Sequence, residues 1–241
     1  RCTAILVTSD KSYKNLEWQW GYRENDMLGG DEPYGASKAA TEIVINSFFQ
    51  SYIKHNKKLR VGIGRAGNVI GGGDWSNDRI IPDTIKAWIN NSKLKIRNPY
   101  STRPWQFVLE PLSGYLCLAE QLSKRKNLDG EPFNFGPNNY DKTVNDLIKA
   151  MSKDLLNLKT VSKKIKKNLF VESSLLKLNC EKAERLINWK SALNFNETVH
   201  FTSNWYNEFY KSNTDVYNLS IKNINDYYKI AKRKNIYWAL R

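Results

Sequence analysis

The feature that most constrains the fold is an apolar run, a helical segment and a second apolar run near the start of this 241-residue chain. Residues 4–7 are a short continuous apolar run, and residues 59–63 have the composition of a second buried strand. Between them, residues 34–52 carry apolar side chains at helical spacing. A strand, a helix and a strand in this order predict a right-handed βαβ unit. The expected fold class is therefore α/β with a parallel sheet.

The rest of the chain continues this mixed pattern. No internal repeat or low-complexity linker interrupts it. Periodicity and turn signals predict strands at 93–96, 103–108 and 133–136, and helices at 82–90, 112–123, 144–155, 180–187, 197–210 and near 221–232.

Composition narrows the class of protein. A hydrophobic content of 41% with eight tryptophans supports a globular core. The three cysteines, Cys2, Cys117 and Cys180, lack C-x-x-C spacing, and only two histidines are present, so neither a disulfide framework nor a zinc site is indicated. Neither a signal-peptide pattern nor a run of roughly 18 apolar residues is found. We expect a cytoplasmic protein, or a fragment of one, that binds no membrane.

The net charge of +14 raises the question of nucleic-acid binding. The lysines are spread along the chain, with local clusters at 163–167 and 232–234 that adjoin apolar stretches. This distribution favours a solvated, lysine-rich surface over a phosphate-backbone patch. We therefore predict no nucleic-acid partner, and the charge would also suit a small anionic substrate.

Two segments carry the candidate chemistry. Residues 8–11, Thr-Ser-Asp-Lys, follow the first strand, and ligands collect at the carboxyl ends of strands in parallel sheets. Tyr34 and Lys38 open the following helix on one face, where the ammonium favours the phenolate that a general base requires. Ser9 would hydrogen-bond the same substrate hydroxyl. The alternative is an unremarkable surface pair, as at Tyr228 and Lys232, which have no strand-end serine before them.

The second strand contains a glycine motif that is typical of a dinucleotide-binding loop, but the residues after it do not fit that function. Residues 62–67 match G-x-G-x-x-G, but a pyrophosphate site also requires a helix that begins at the third glycine. The residues after Gly67, Asn-Val-Ile-Gly-Gly-Gly, do not start a helix. We do not interpret this match as a dinucleotide site.

Several segments together resemble the CDP-glucose 4,6-dehydratases of the extended short-chain dehydrogenase/reductase superfamily. The Tyr-Lys pair identifies only the superfamily, whereas the Gly-Gly-Gly-Asp-Trp run and Lys11 after Ser-Asp point to this branch. In the related dTDP-glucose and GDP-mannose enzymes the position of Lys11 is usually glutamate. The matching segments are 8–11, 34–38, 65–75, 78–82, 103–106, 176–179 and 187–189.

The resemblance implies NAD as cofactor and a sugar nucleotide, CDP-glucose, as substrate. It assigns Tyr34 as the base for oxidation at C4 of the glucose unit, with Lys38 supporting it and Ser9 orienting the hydroxyl. Water then leaves across C5 and C6, and hydride returns to C6. Asp10 fits the acid that protonates the departing C6 hydroxyl, and Lys11 is the candidate for the C5 proton. Tyr34 and Lys38 also match the cofactor-binding pair.

Three further residues match substrate-binding positions. Arg79 and Arg103 resemble residues that meet the pyrophosphate, which suits the two-point geometry of a guanidinium, although each could instead form a surface ion pair. Asn68 resembles a residue that contacts the sugar nucleotide, although asparagine at a strand end also forms turns. Trp75 and Trp105 are interpreted as packing residues.

Full-length relatives begin with a dinucleotide-binding half that precedes the first strand seen here. We therefore expect residues 1–70 to be the C-terminal remainder of a Rossmann domain, and 71–241 to be mostly a smaller, mixed α/β substrate domain. On this interpretation the chain alone neither holds NAD tightly nor turns over substrate, and the full-length form could be a homo-oligomer. The alternatives are a sugar-nucleotide epimerase or decarboxylase, a non-catalytic binding remnant, and a nucleic-acid-binding protein.

Overall fold

A computed structural model describes residues 2–138, 142–162, 175–211 and 215–240. The strands are β1 (Cys2–Val7), β2 (Leu59–Ala66), β3 (Val69–Ile70), β4 (Lys93–Ile96), β5 (Gln106–Phe107), β6 (Pro132–Phe135) and β7 (Lys159–Ser162). The α-helices are α1 (Pro33–Phe48), α2 (Ile80–Ile89), α3 (Leu109–Lys124), α4 (Val144–Met151), α5 (Glu181–Ile187), α6 (Phe195–Lys211) and α7 (Val216–Arg233). The lysine cluster predicted at 163–167 lies outside the described residues.

A three-stranded parallel sheet organises the N-terminal part. Its order is β1-β2-β6, with β1 paired to β2 from Cys2 opposite Leu59 to Val7 opposite Gly64. Because α1 connects β1 to β2, the predicted βαβ unit is present, and the predicted α/β class with a parallel sheet is confirmed. The carboxyl ends of all three strands lie at the same edge of the sheet.

The glycines of the G-x-G-x-x-G match allow α3 to pack closely on β2. A Cβ atom on Gly62 would lie 2.7 Å from Leu122, and one on Gly64 would lie 2.5 Å from Tyr115. Gly67 is followed by the short strand β3 rather than by a helix. The prediction that this motif is not a phosphate loop at a helix start is therefore confirmed.

A second core lies outside the main sheet. It joins α2, α4 and α6 with the two-stranded parallel pair of β4 and β7. Its fully buried members include Ile85, Leu147, Met151 and Tyr206. Strands β3 and β5 form another parallel pair. The proposed division of the chain near residue 70 remains a prediction.

Two segments differ from the sequence-based expectations. The strand predicted at 103–108 shrinks to Gln106–Phe107, because Pro104 has no amide hydrogen for a strand ladder, and α3 already begins at Leu109. Strand β7 was not predicted, since Lys-Thr-Val-Ser contains no apolar run. Its partner β4 supplies the pairing that the local sequence does not indicate.

The described residues contain neither a membrane-spanning helix nor a cluster of metal ligands. Across 2–138, 142–162, 175–211 and 215–240, no helix has the length and apolar character needed to cross a membrane. In the same part of the chain, no group of three or more His, Cys, Asp or Glu side chains is placed to hold a metal ion.

Candidate active site

The end of β1 is shaped by a short 3₁₀ turn at Asp10–Ser12. Ser9 caps this turn, because its Oγ accepts a hydrogen bond from the backbone N–H of Lys11 at 3.2 Å. The hydroxyl of Ser12 donates to the carbonyl of Ser9 at 2.7 Å. These bonds fix the three candidate residues Ser9, Asp10 and Lys11 at the carboxyl edge of the sheet.

Asp10 is buried with one carboxylate oxygen unpartnered. The Ser9 hydroxyl donates to its Oδ1 at 3.0 Å, whereas Oδ2 has no hydrogen-bond partner. A Cβ atom on Gly67 would lie 3.1 Å from this Oδ2 and 2.7 Å from the Pro104 ring. Burial raises the pKa of Asp10 to about 6, against the opposing effects of the nearby charges and hydrogen bonds. Asp10 is therefore poised to exchange a proton near neutral pH.

The start of α1 carries the second candidate segment. Pro33 occupies the first turn, and the Glu32 carboxylate accepts from the N–H groups of Tyr34 at 2.8 Å and Gly35 at 2.6 Å. The Nζ atom of Lys38 lies 5.6 Å from the centre of the Tyr34 ring. The predicted proximity of these two side chains is confirmed. Tyr34 is 54% exposed and thus open to a ligand.

Gly35 allows the two candidate segments to meet. A Cβ atom at this position would lie 2.9 Å from the carbonyl oxygen of Lys11 and 2.8 Å from the Glu32 carboxylate. The first turn of α1 thus packs directly against the 3₁₀ turn, and a larger residue would push them apart. The structure therefore brings the first turn of α1, which begins beside Tyr34, against the strand-end residues.

The three predicted substrate-binding residues are placed differently from one another. Arg103 is buried, donates to the carbonyl of Thr102 at 2.8 Å, and is close enough to lower the pKa of Asp10. Asn68 is half-buried after β2, and its carbonyl accepts from the backbone of Gln106 at 3.0 Å. The side chain of Arg79 is 67% exposed and forms an ion pair at 3.4 Å with Asp74. Arg103 therefore belongs to the Asp10 group, whereas Arg79 lies in a separate ion pair.

The two tryptophans interpreted as packing residues differ in exposure. Trp105 is buried, and its indole N–H donates to the carbonyl of Lys142 at 3.2 Å. Trp75 is 43% exposed, and its ring lies against Tyr206 and Tyr210 in edge-on contacts. Both rings pack on other parts of the protein.

Sequence reasoning missed a buried carboxylate beneath this site. Glu42, one turn beyond Lys38 on α1, accepts the Thr8 hydroxyl at 2.6 Å and pairs with Arg65 of β2. A weak signal existed in the sequence, since Gly35, Ala39 and Glu42 follow helical spacing on one face. The pattern marks the buried face but does not name the partners.

The residues present fit one end of a dinucleotide. Tyr34 and Lys38 offer a hydroxyl and an ammonium, which suit the diol of a nicotinamide ribose. Side chains of α3 occupy the space beside Gly62 and Gly64. That segment therefore has no room for a pyrophosphate. The fit thus concerns the nicotinamide end.

Comparisons with known proteins give several sequence relatives and many structural ones. No protein-family model matches the chain. The chain is 40% identical over 241 aligned residues, 95% of its length, to CDP-glucose 4,6-dehydratase of Salmonella typhimurium. It spans 65% of the length of that relative.

Two solved structures illustrate the fold similarity. A dTDP-glucose 4,6-dehydratase from Bacillus anthracis in complex with NAD superposes with a TM-score of 0.68 at 21% identity, covering 86% of this chain and 62% of that one. A UDP-glucuronic acid 4-epimerase from Bacillus cereus, in complex with UDP-glucuronic acid and NAD, gives 0.72 at 18% identity over 86% and 62%.

These comparisons confirm the resemblance that the sequence motifs indicated. The sequence match extends over nearly all of this chain, and the structural matches carry the same parallel-sheet architecture. The chain is accordingly similar in sequence to CDP-glucose 4,6-dehydratase, and it has the Rossmann-type fold of the solved dehydratase and epimerase structures.

Proposed function

We propose that this chain carries the catalytic and substrate-binding part of an NAD-dependent 4,6-dehydratase that acts on CDP-glucose. The observation that carries the proposal is the unpartnered, buried oxygen of Asp10, a group whose pKa is about 6, beside Ser9 and against the helix of Tyr34 and Lys38. The identity to the Salmonella enzyme supports this substrate.

The first half of the proposed reaction concerns the C4 hydroxyl. NAD, when bound, supplies the hydride acceptor and later the hydride donor. Tyr34 removes the hydroxyl proton, Lys38 lies beside the Tyr34 ring to support it, and Ser9 orients the hydroxyl. Tyr34 and Lys38 would also hold the nicotinamide ribose, because their polar groups lie together at the start of α1.

The second half concerns the loss of water. Lys11, with its amine in the neutral form, accepts the C5 proton, and Asp10 in its protonated form gives its proton to the departing C6 hydroxyl, which leaves as water. A pKa of about 6 leaves part of the Asp10 population protonated near neutral pH, as an acid requires. Since Asp10 is 2% exposed, the residues packed around it must move before substrate reaches its carboxyl group.

The remaining residues would hold the nucleotide. Arg103 and Arg79 bind the pyrophosphate, and Asn68 contacts the sugar nucleotide at the end of β2. The exposed ion pair of Arg79 with Asp74 is weak enough to be exchanged for a phosphate, because such pairs contribute roughly 0–1 kcal/mol.

Mass spectrometry of the product tests the proposal. The purified chain is incubated with CDP-glucose and NAD, and binding of CDP-glucose and of CDP is measured by calorimetry in parallel. A product lighter by one water supports the dehydratase. A product of unchanged mass indicates an epimerase, and loss of carbon dioxide from a uronic acid substrate indicates a decarboxylase.

Binding separates the remaining outcomes. CDP-glucose that binds more tightly than CDP, without any product, indicates a non-catalytic sugar-nucleotide-binding remnant. The absence of CDP-glucose binding would overturn the proposed function.

A further inference from the structure

A buried polar network lies directly beneath the two catalytic segments. Glu42 of α1 is 3% exposed and accepts the Thr8 hydroxyl at 2.6 Å. Its carboxylate also receives the Nε–H of Arg65 at 2.7 and 2.9 Å, and a further bond from Nη2. Glu42 thus connects the end of β1, the centre of α1 and the end of β2.

The network continues to the third strand through Arg65. Nη1 of Arg65 donates to the Tyr13 hydroxyl at 2.7 Å and to the carbonyl of Glu24 at 2.9 Å. The Tyr13 hydroxyl donates to Asn134 of β6 at 2.7 Å. Burial by itself would lower the pKa of Arg65, but its Glu42 and Tyr13 partners raise it, so the guanidinium remains charged.

Glu42 lies close in the chain to one candidate catalytic segment, and its partner Thr8 adjoins the other. Glu42 follows Lys38 by one helical turn, and its partner Thr8 immediately precedes Ser9. One carboxylate, carried by the same helix as Tyr34 and Lys38, is therefore hydrogen-bonded to the residue that precedes Ser9. A buried charge is held in one arrangement by its hydrogen-bond partners, because leaving a charged group unpaired in the interior lowers the stability of the fold.

We propose that Glu42 is a positioning residue that couples the Tyr34–Lys38 helix to the Ser9–Lys11 turn through the Thr8 hydroxyl. The coupling itself is geometric, and only its meaning for catalysis rests on the proposed dehydratase function. Gly35 permits the close approach of the two segments, and Glu42 fixes their relative position from below.

A second buried ion pair on the same strand provides a matched control. Arg60, at the start of β2, bonds to Asp129 at 2.9 Å, with side chains 8% and 5% exposed. Asp129 also accepts from the backbone of Val61 at 2.8 Å. This pair resembles Arg65–Glu42 in chemistry and burial but lies at the opposite end of the strand from the catalytic segments.

Amide hydrogen exchange measures the coupling without any ligand. We compare the wild-type chain with Thr8→Val, Thr8→Ser, Glu42→Gln and Asp129→Asn. Loss of one buried hydrogen bond should accelerate local exchange about 10-fold. In Thr8→Val we expect this acceleration in residues 8–13 and also in 33–38, with Thr8→Ser close to wild type. Asp129→Asn should affect residues 59–62 and 126–131 only.

A binding measurement connects the coupling to the site. Thr8→Val should weaken CDP-glucose binding about 10-fold and leave CDP binding unchanged, since only the sugar reaches the two segments. If exchange in 33–38 is the same in Thr8→Val as in wild type, the coupling is refuted. If wild type binds no CDP-glucose, the proposed function fails, while the exchange experiment still decides the role of Glu42.

Discussion

Two buried carboxyl groups in this chain share a shifted pKa but differ in their surroundings. Asp10 at the end of β1 is 2% exposed, and Glu110 in the first turn of α3 is 1% exposed. Burial raises the pKa of Asp10 to about 6 and that of Glu110 to about 7. The carboxylate of Glu110 accepts bonds from the backbone N–H groups of Ala192 and Leu193 and from the Tyr227 hydroxyl. Oδ2 of Asp10 has no partner.

The difference teaches how to interpret a shifted pKa. A raised value reports burial, which a structural group and a catalytic group can share. The hydrogen-bond partners of the carboxyl group distinguish a structural group from a catalytic one. A buried polar atom without a hydrogen bond calls for an explanation, such as a ligand atom. By this criterion Glu110 joins α3 to the segment before α6 and to α7, whereas the unpartnered oxygen of Asp10 fits the acid role proposed for it.

The largest expected effect is on stability at Glu110. Glu110→Ala leaves two backbone N–H groups and the Tyr227 hydroxyl without their acceptor, so the free energy of unfolding should fall by about 3–5 kcal/mol. Urea denaturation measures this loss. On the same helix, Glu120→Ala removes an exposed partner of Lys124 and should cost less than about 0.5 kcal/mol. A loss at Glu110 no larger than at Glu120 would remove its structural role.

At Asp10 we expect the opposite result, a large loss of activity with little loss of stability. Asp10→Asn preserves shape and removes only the acid, so turnover of CDP-glucose, measured in a protein that also contains the dinucleotide-binding half, should fall about 10²- to 10³-fold. The free energy of unfolding should change by less than about 1 kcal/mol, because the variant also removes a buried charge. Comparison of product formation with urea denaturation checks both halves. Unchanged turnover would mean that Asp10, like Glu110, has a structural role and no catalytic one.

The third prediction concerns the pH dependence of stability. The folded pKa of Glu110 is about 7 and its ordinary value 4.5, so the folded state keeps a proton that the unfolded state releases. Its contribution is therefore complete below pH 4.5 and is lost as the pH rises through about 7. The stability of wild type relative to Glu110→Gln should fall by about 2 kcal/mol between about pH 5 and 8.

The same measurement at Asp10 should give a lower midpoint. Wild type relative to Asp10→Asn should lose stability as the pH rises through about 6. Urea denaturation at a series of pH values gives both curves. A stability difference that rises with pH in either pair would contradict the stated direction of the pKa shift.

The positions of the two candidate catalytic segments were predictable because their geometry is local. Residues 8–11 follow a strand, residues 34–38 open the next helix, and a parallel βαβ unit brings the strand end and the helix start together. The spacing of Tyr34 and Lys38 was enough to predict their proximity, which the structure confirms. Periodicity also identified most of the helices.

The supporting groups were not predictable from the same patterns. Glu42 meets Arg65 across 23 positions, and Glu110 meets Ala192 across 82. Each looks in the sequence like an ordinary helix glutamate, because its partners are set by tertiary packing. The unpartnered oxygen of Asp10 likewise depends on Gly67 and Pro104, which only the folded chain brings against it.

The smallest predicted effect sharpens the comparison at Ser9. Its hydroxyl donates to Oδ1 of Asp10 and favours the ionised carboxylate, so Ser9→Ala should raise the pKa of Asp10 above about 6, by an amount equivalent to about 1 kcal/mol. The midpoint is measured from the stability of Ser9→Ala relative to Ser9→Ala/Asp10→Asn across pH. Ser12→Ala, which loses a bond to the Ser9 carbonyl in the same turn, should leave the midpoint in place. A midpoint that is unchanged or lower in Ser9→Ala would mean that the Ser9 hydrogen bond does not lower the pKa of Asp10, and that burial is opposed there only by Lys11 and Arg103.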